Sequence, residues 1–522
     1  MENRFIHHLV VKRRRIQGLF LTVILAAGIA GPTRAQVTAS VSGRVEDASG
    51  AAVGGAAVIV SSLETGANRM VTTDAAGIYR ALLLPVGRYE VKAEAPGFKS
   101  TLQAGISLVV GEEAVVNLKL EVGTVQEQVS VTSEAPLVNT TTAPVSGLVG
   151  ERQVKDLPLN GRSFDNLITL NPGAVNYSAL KSGPSVGSGE GAYFTVAGRR
   201  PYDNIFLLNG IEYTGSSNIG ITPGGVSGQL LGIDAVREFN VIGDTYSAEY
   251  GKRSGAQVSV VTQSGSNQLH GAVIEFLRNN KLDARNFFDQ TIGAPPFKRN
   301  QFGGSLGGPI KRDKIFLFGN YEGFRHRLGL SNVAFVPDDN ARQGSLPCGV
   351  VYTTATDRGA NCASLNAPVR VPNLDSRMLR FMALWPQPNG PEVVTNSLAT
   401  GVAQNFNSPL QKIREDFGTM RFDYNLSLKD TFTAAATLDD GHNISPLTNP
   451  FFGTIAFLRS QVISAQETHV FSPRVVNTLR TGFSRAAFNF DSPALVPLPP
   501  DDTLFAGKPP GPMVIGVHPL PR

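Results

Sequence analysis

The sequence predicts a mainly β protein: an N-terminal seven-stranded sandwich, an α+β middle region, and then the first strands of an antiparallel transmembrane β-barrel. Three observations carry this. Gly (55) and Pro (33) together make 88 of 522 residues, above the roughly 12% of average usage, which favours turn-rich β structure. The first third of the chain is cut by turn signals into short alternating or β-branched runs. After residue 255 the runs lengthen and pair, joined alternately by tight turns and long connections. Beyond the N-terminus no stretch reaches 18 consecutive apolar residues, so any membrane insertion must use strands.

Residues 1–35 form a leader. Arg13–Arg15 precedes an apolar run, Ile16–Ala30, and then Thr33-Arg34-Ala35. This is the basic, apolar and small-x-Ala order of a signal peptide, and the run is too short and interrupted for a spanning helix. The leader holds six cations and one acid, so it accounts for the whole net charge of +5 and leaves 41 cations and 41 acids in the rest. The basic total therefore carries no message about nucleic acid. The chain is read as exported. Cys348 and Cys362, its only cysteines, sit in a loop-like stretch and are expected to form a disulfide.

Residues 36–121 read as the sandwich. Strand-like runs fall at Val37–Val45, Ala57–Ser62, Asn68–Thr72, Ile78–Leu82, Arg88–Ala95 and Glu113–Leu120, separated by turns such as Asp74–Gly77 and Pro96-Gly97. About seven strands in a segment of this size indicate two packed sheets. Tyr79 and Tyr89 read as core or corner residues. Residues 122–145 are a polar linker holding one β-prone patch, TVQEQVSVT at 124–132. That patch is either the last strand of the sandwich or a segment that adds to a partner's sheet.

Residues 146–254 are mixed. Asp165–Leu170 reads as a short helix, and Ile205–Leu208 and Phe239–Ile242 as short strands. The Gly/Ser loop Gly183–Gly191 is no phosphate cradle, because no strand leads in and no helix follows. Residues 255–522 read as the barrel portion, with strands at 256–263, 270–279, 300–310, 315–327, 413–427, 430–440, 460–471 and 474–488. Tight turns fall at Ser264–Asn267, Lys311–Lys314, Ser427–Asp430 and Phe471–Arg474, with long connections at 280–299, 328–412 and 441–459. Short turns on one side and long loops on the other are the wiring of outer-membrane barrels. The faces alternate: Met420, Phe422, Tyr424 and Leu426 oppose Thr419, Arg421, Asp423 and Asn425.

Two sets of motifs resemble known families. VSGRVEDASGAAVGGAAV (41–58), TTDAAGIYR (72–80) and LPVGRYEVKAEAPGF (84–98) resemble the carboxypeptidase regulatory-like domain, an accessory sandwich without peptidase chemistry. LPLNGRSFDNLITLNPG (157–173), AGRRPYDNIFLLNGIEYT (197–214), the run from Tyr246 to Asp289 and NQFGGSLGGPIKRDKIFLFGNYEGFR (300–325) resemble TonB-dependent outer-membrane transporters of the Oar-like type. That resemblance implies a plug at 146–254 inside the barrel, location in the outer membrane with the sandwich periplasmic, and contact with outer-membrane lipid. It also implies a TonB-type energising partner of the inner membrane, docking on a box in the linker: by position Gln126, Glu127, Gln128, Val129, Ser130, Val131 and Thr132. An extracellular ligand is implied, an oligosaccharide, a peptide or a metal chelate, with no ligand residue assigned; Trp385, Phe451 and Phe452 are loop aromatics to consider.

Two departures stand out. Asn209-Gly210 replaces the family's Asp-Gly turn. A plugged barrel needs 22 strands, and about eight are legible, so a C-terminally truncated product is expected. No enzyme is expected: the seven histidines are scattered, no cluster has ligand or nucleophile spacing, and no catalytic or metal residue, cofactor or nucleic-acid partner is assigned. The competing reading is a secreted or surface-attached adhesin that binds through its sandwich.

Overall fold

The computed structural model describes residues 38–123, 128–132, 145–176, 192–213, 223–244, 251–285, 294–472 and 475–498. The leader, Gln126 and Glu127, and the Gly183–Gly191 loop lie outside these residues.

The sandwich forms from two sheets. In one, Ala39–Asp47 pairs antiparallel with Ile78–Leu84 and parallel with Glu113–Val115 and Leu118–Leu120. The other runs in the order 68–72, 57–62, 87–94, 100–108, 128–132. Alternation along each strand sends Val41, Val58, Val60, Val91, Leu118 and Leu120 into the shared core, because successive side chains of a strand point to opposite faces. Eight strands lie between residues 39 and 120 where seven were expected. Ser100–Leu108 is a strand that the sequence does not reveal, because its Thr, Gln and Gly residues hide the alternation. The 113–120 run is split in two at Val116, whose carbonyl accepts the Tyr79 hydroxyl at 2.7 Å. Tyr79 and Tyr89 are core residues, and Tyr89 closes a corner by donating to the Pro85 carbonyl at 2.9 Å.

The middle region is built on a five-stranded sheet ordered 145–149, 236–244, 257–262, 205–208, 211–212. The strand at 256–263 does not open the barrel; Gln257–Thr262 is the central strand of this sheet, antiparallel to Val236–Asp244 and parallel to Ile205–Leu208. All six of its residues are buried, which is the signature of a strand covered on both faces. The boundary at 254/255 therefore cuts one sheet. Phe164–Leu170 is a 3-10 helix that packs Phe164 on Phe239, with ring centroids 5.9 Å apart. The Asn209-Gly210 turn has φ values of 50° and 80°, the paired left-handed geometry of a tight hairpin, which Asn-Gly adopts readily. Asn209 Oδ1 also accepts the Thr262 N–H at 3.1 Å.

The third region is a seven-stranded antiparallel sheet of consecutive neighbours: His270–Asn279, Phe297–Lys311, Ile315–Gly329, Leu410–Asn425, Asp430–Pro446, Gly453–Ser472 and Val475–Asp491. Among the described residues this sheet has seven strands, because 257–262 belongs to the middle region. They run from 10 to 20 residues, at or beyond the 9–11 needed to cross a bilayer with tilt. The connection read at 441–459 is mostly strand: both neighbours extend into it, leaving 447–452 as the loop. The faces are inverted relative to a soluble sheet. Met420 and Leu438 are 58% and 44% exposed, while their chain neighbours Thr419 and Asp439 are 3% and 2% exposed. Apolar residues outward and polar residues inward are what a lipid-facing barrel wall requires.

The 330–409 connection has structure of its own. A three-stranded sheet holds 332–337, 398–407 and 392–395, and a disulfide joins Cys348 to Cys362 with Cα atoms 5.7 Å apart. Trp385 and Phe452 are buried in this loop's core with Val336, Phe381 and Leu384, and Phe451 packs against the same cluster. They pack this connection against the 447–452 loop.

Candidate functional site

Two contact zones and one strand edge concentrate the chemistry. The first zone lies between the middle region and the inner face of the seven-stranded sheet. The segment 225–235 approaches that face and offers its backbone. The Ser227 N–H donates to Glu415 Oε2 at 2.7 Å, and the Gly232 N–H donates to Glu322 Oε2 at 3.0 Å. Gln301 Nε2 donates to Glu322 Oε1 at 2.5 Å and to the Gly161 carbonyl at 3.1 Å. Asn443 Nδ2 donates to the Val226 carbonyl at 3.2 Å. Arg162, from the LNGR motif, pairs with Asp234 at 2.5 Å and stands 3.9 Å from Glu322. Around this polar seam Val226, Leu231 and Ala235 pack on Phe318, Phe324, Ile413 and Phe417.

Gly232 is the tightest point. Its φ is +83°, and a Cβ there would stand 2.0 Å from Phe417 Cε1. Only glycine meets both conditions at low cost. Nearby, Ser163 Oγ donates to Asp165 at 2.5 Å and accepts the Leu230 N–H at 2.8 Å. Burial pushes the Asp165 carboxyl up to about 6, against the pull of the Ser163 hydroxyl.

The second zone joins the sandwich to the middle region. Arg237 grips Glu64 with two bonds, both 2.8 Å. The next residue, Glu238, accepts the Val110 N–H at 2.6 Å, and Asn240 Nδ2 donates to the Val110 carbonyl at 3.3 Å. Val86, Val110 and Val261 form the apolar part. Burial raises Glu64, but hydrogen bonding and charge from Arg237 outweigh it and leave the carboxyl below its ordinary range. Burial pushes Glu238 up to about 7.

A pH dependence follows. A carboxyl raised from 4.5 to about 7 favours the docked state fully below 4.5, and that contribution is lost as pH rises through about 7. The difference is about 3 kcal/mol at most. Glu64 has the opposite sign, but only below its ordinary range, so Glu238, with Glu112 beside it also raised by burial, sets the direction between pH 5 and 8. Limited proteolysis of the linker should be slow at pH 5 and faster at pH 8. Glu238→Gln should flatten that trend; an unchanged slope in the variant would assign it to another group.

The third feature is the linker patch. Gln128–Thr132 is a strand, parallel to Ser100–Ala104. It is the last strand of its sheet, so its far edge carries no further strand among the described residues. The reading of TVQEQVSVT as the sandwich's final strand is met, and that strand still leaves one edge open.

Among the described residues, Asp430, Glu467 and His469 bring three potential metal-ligand atoms within 4.8 Å. Asp430 there already accepts from Ser427 and faces His469 Nδ1, each at 2.5 Å, and all three are only half-buried.

Two family models match the chain. Residues 261–517 match the model of the outer membrane beta barrel domain, and residues 40–121 match that of the carboxypeptidase regulatory-like domain. The chain is 26% identical over 315 residues to the TonB-dependent transporter Oar of Myxococcus xanthus, an alignment covering 57% of this chain and 28% of that protein. The chain thus spans little more than a quarter of that relative. Similar solved structures include the outer membrane transporter YddB from Escherichia coli, at 12% identity over 65% of this chain and 38% of that one with a TM-score of 0.40. Another is the ferric enterobactin receptor PfeA from Pseudomonas aeruginosa, at 13% identity over 69% and 48% with a TM-score of 0.34. These relatives are transporters and receptors, not enzymes.

Proposed function

The chain is a relative of the TonB-dependent outer-membrane transporters, and we propose that it acts as a receptor of that kind, capturing an extracellular ligand and passing it inward through a plugged barrel with energy supplied from the inner membrane. The observation that carries this reading is the inverted seven-stranded sheet, apolar outside and polar inside, with the 225–235 segment bonded to its inner face. Residues 146–262 are the plug in this reading, and the 330–409 connection is an extracellular ligand-facing loop. The sandwich lies in the periplasm.

The coupling segment is Gln126–Thr132. A TonB-type partner adds a strand to the open edge of Gln128–Thr132, extending a sheet that already ends there. Main-chain hydrogen bonds supply the affinity in such additions. Gln126 and Glu127 lie outside the described residues. The ligand class is kept as wide as an oligosaccharide, a peptide or a metal chelate.

Cell fractionation separates this from the adhesin reading. The receptor reading expects the product in outer-membrane fractions, with heat-modifiable migration. Full-length product in the soluble extracellular fraction would remove it.

A further inference from the structure

The sandwich, the middle region and the turns of the seven-stranded sheet enclose a cavity of about 400 Å³. That is within the size range of small-molecule sites. Its charged lining is uneven. Four cations face three acids: Arg69, Arg237, Lys314 and Arg421 against Glu64, Asp313 and Asp423. Two of the acids are already taken. Glu64 is held by Arg237 at 2.8 Å, and Asp423 by Arg421 at 3.0 Å. Asp313 accepts from Asn267 Nδ2 at 2.7 Å.

Arg69 is the anomaly. It lies on the inward face of its sandwich strand, between exposed Asn68 and Met70, and is only 8% exposed. Its Nη1 is buried and has no hydrogen-bond partner among the described residues. A guanidinium does not deprotonate in proteins, so it cannot escape the cost of burial by losing its charge. Buried charges are paired in stable proteins. Burial pulls the Arg69 guanidinium down from its ordinary value, which marks the same strain.

We propose that this cavity binds a small soluble molecule bearing a carboxylate or a phosphate, with Arg69 as its main anchor and Lys314 as a second charge from the barrel turn. The planar fork of arginine suits either oxyanion. A lipid headgroup is disfavoured, because Arg421, Asp423, Gln466 and Thr468 line the cavity from the inner face of the sheet. An occupant would touch sandwich and barrel at once and so fasten one to the other. This inference needs the cavity only and does not rest on the transport reading.

The test is isothermal titration of the full chain in detergent with succinate and, separately, with glycerol 3-phosphate. Saturable binding of at least one probe, near one per chain, is expected; which one binds distinguishes carboxylate from phosphate. Arg69→Met should weaken binding at least tenfold and Lys314→Met at least threefold, while Arg358→Met, in the distant disulfide loop, should leave it unchanged. Lys314 is exposed on a turn, so its variant decides the matter should Arg69→Met not fold. Absence of saturable binding with both probes, or undiminished binding in the variants that fold, overturns the proposal.

Discussion

Replacing Val129 and Val131 together by proline is expected to abolish capture of the periplasmic domain of a TonB-type protein. Proline lacks the N–H that a strand ladder needs and is tolerated only where that edge is unused. Gln128–Thr132 has two edges, one on Ser100–Ala104 and one open. Whichever edge the two N–H groups face, the change removes ladder bonds worth about 0.5–1.5 kcal/mol each and disfavours the straight strand that the partner would extend. A loss of at least tenfold in a pull-down or anisotropy titration is expected. The sandwich core at Val41, Val58 and Leu118 does not depend on this terminal strand and should keep its fold. Undiminished capture by the double variant would show that the coupling segment lies elsewhere.

Gly232→Val is the second large effect. The new Cβ meets the Phe417 ring at 2.0 Å and the backbone keeps φ at +83°. Overpacking and left-handed strain in a β-branched residue together cost about 2–5 kcal/mol. The same shift would pull the Gly232 N–H off Glu322 and disturb Leu231 in the apolar cluster. Segment 225–235 should lose protection in hydrogen exchange, while the sandwich stays protected. Glu415→Ala, which strands the Ser227 N–H, should act in the same direction by about 1–3 kcal/mol. Unchanged protection in both variants would mean that this seam does not hold the middle region to the sheet.

Legibility in the sequence varied with how local the signal was. Strands with one lipid-like and one polar face, such as 419–426, could be read from alternation alone. Gln257–Thr262 could not be placed, because QVSVVT is buried on both faces and runs straight on towards the first barrel strand. Residues 441–459 read as a loop on the strength of Asn443, Pro446, Asn449 and Pro450. Yet Asn443 is a buried inner-face residue bonded to the Val226 carbonyl, where a polar side chain belongs. The seam glutamates, Glu322 and Glu415, look like any polar residue on an inner face, and only the segment opposite reveals their role. Glu64 and Arg237 are 173 residues apart, and no spacing rule links them. The loop aromatics Trp385 and Phe452 were visible as aromatics, but whether they pack or bind depends on tertiary contacts that composition does not carry.

The most direct test of the membrane-spanning reading is epitope accessibility in the native host. One tag is placed in the loop helix at 355–361 and another in the turn at 427–430. Antibody should label the loop tag on intact cells and reach the turn tag only after the outer membrane is permeabilised. Equal labelling of both tags on intact cells, or recovery of both from the medium, would contradict a sheet that crosses the outer membrane.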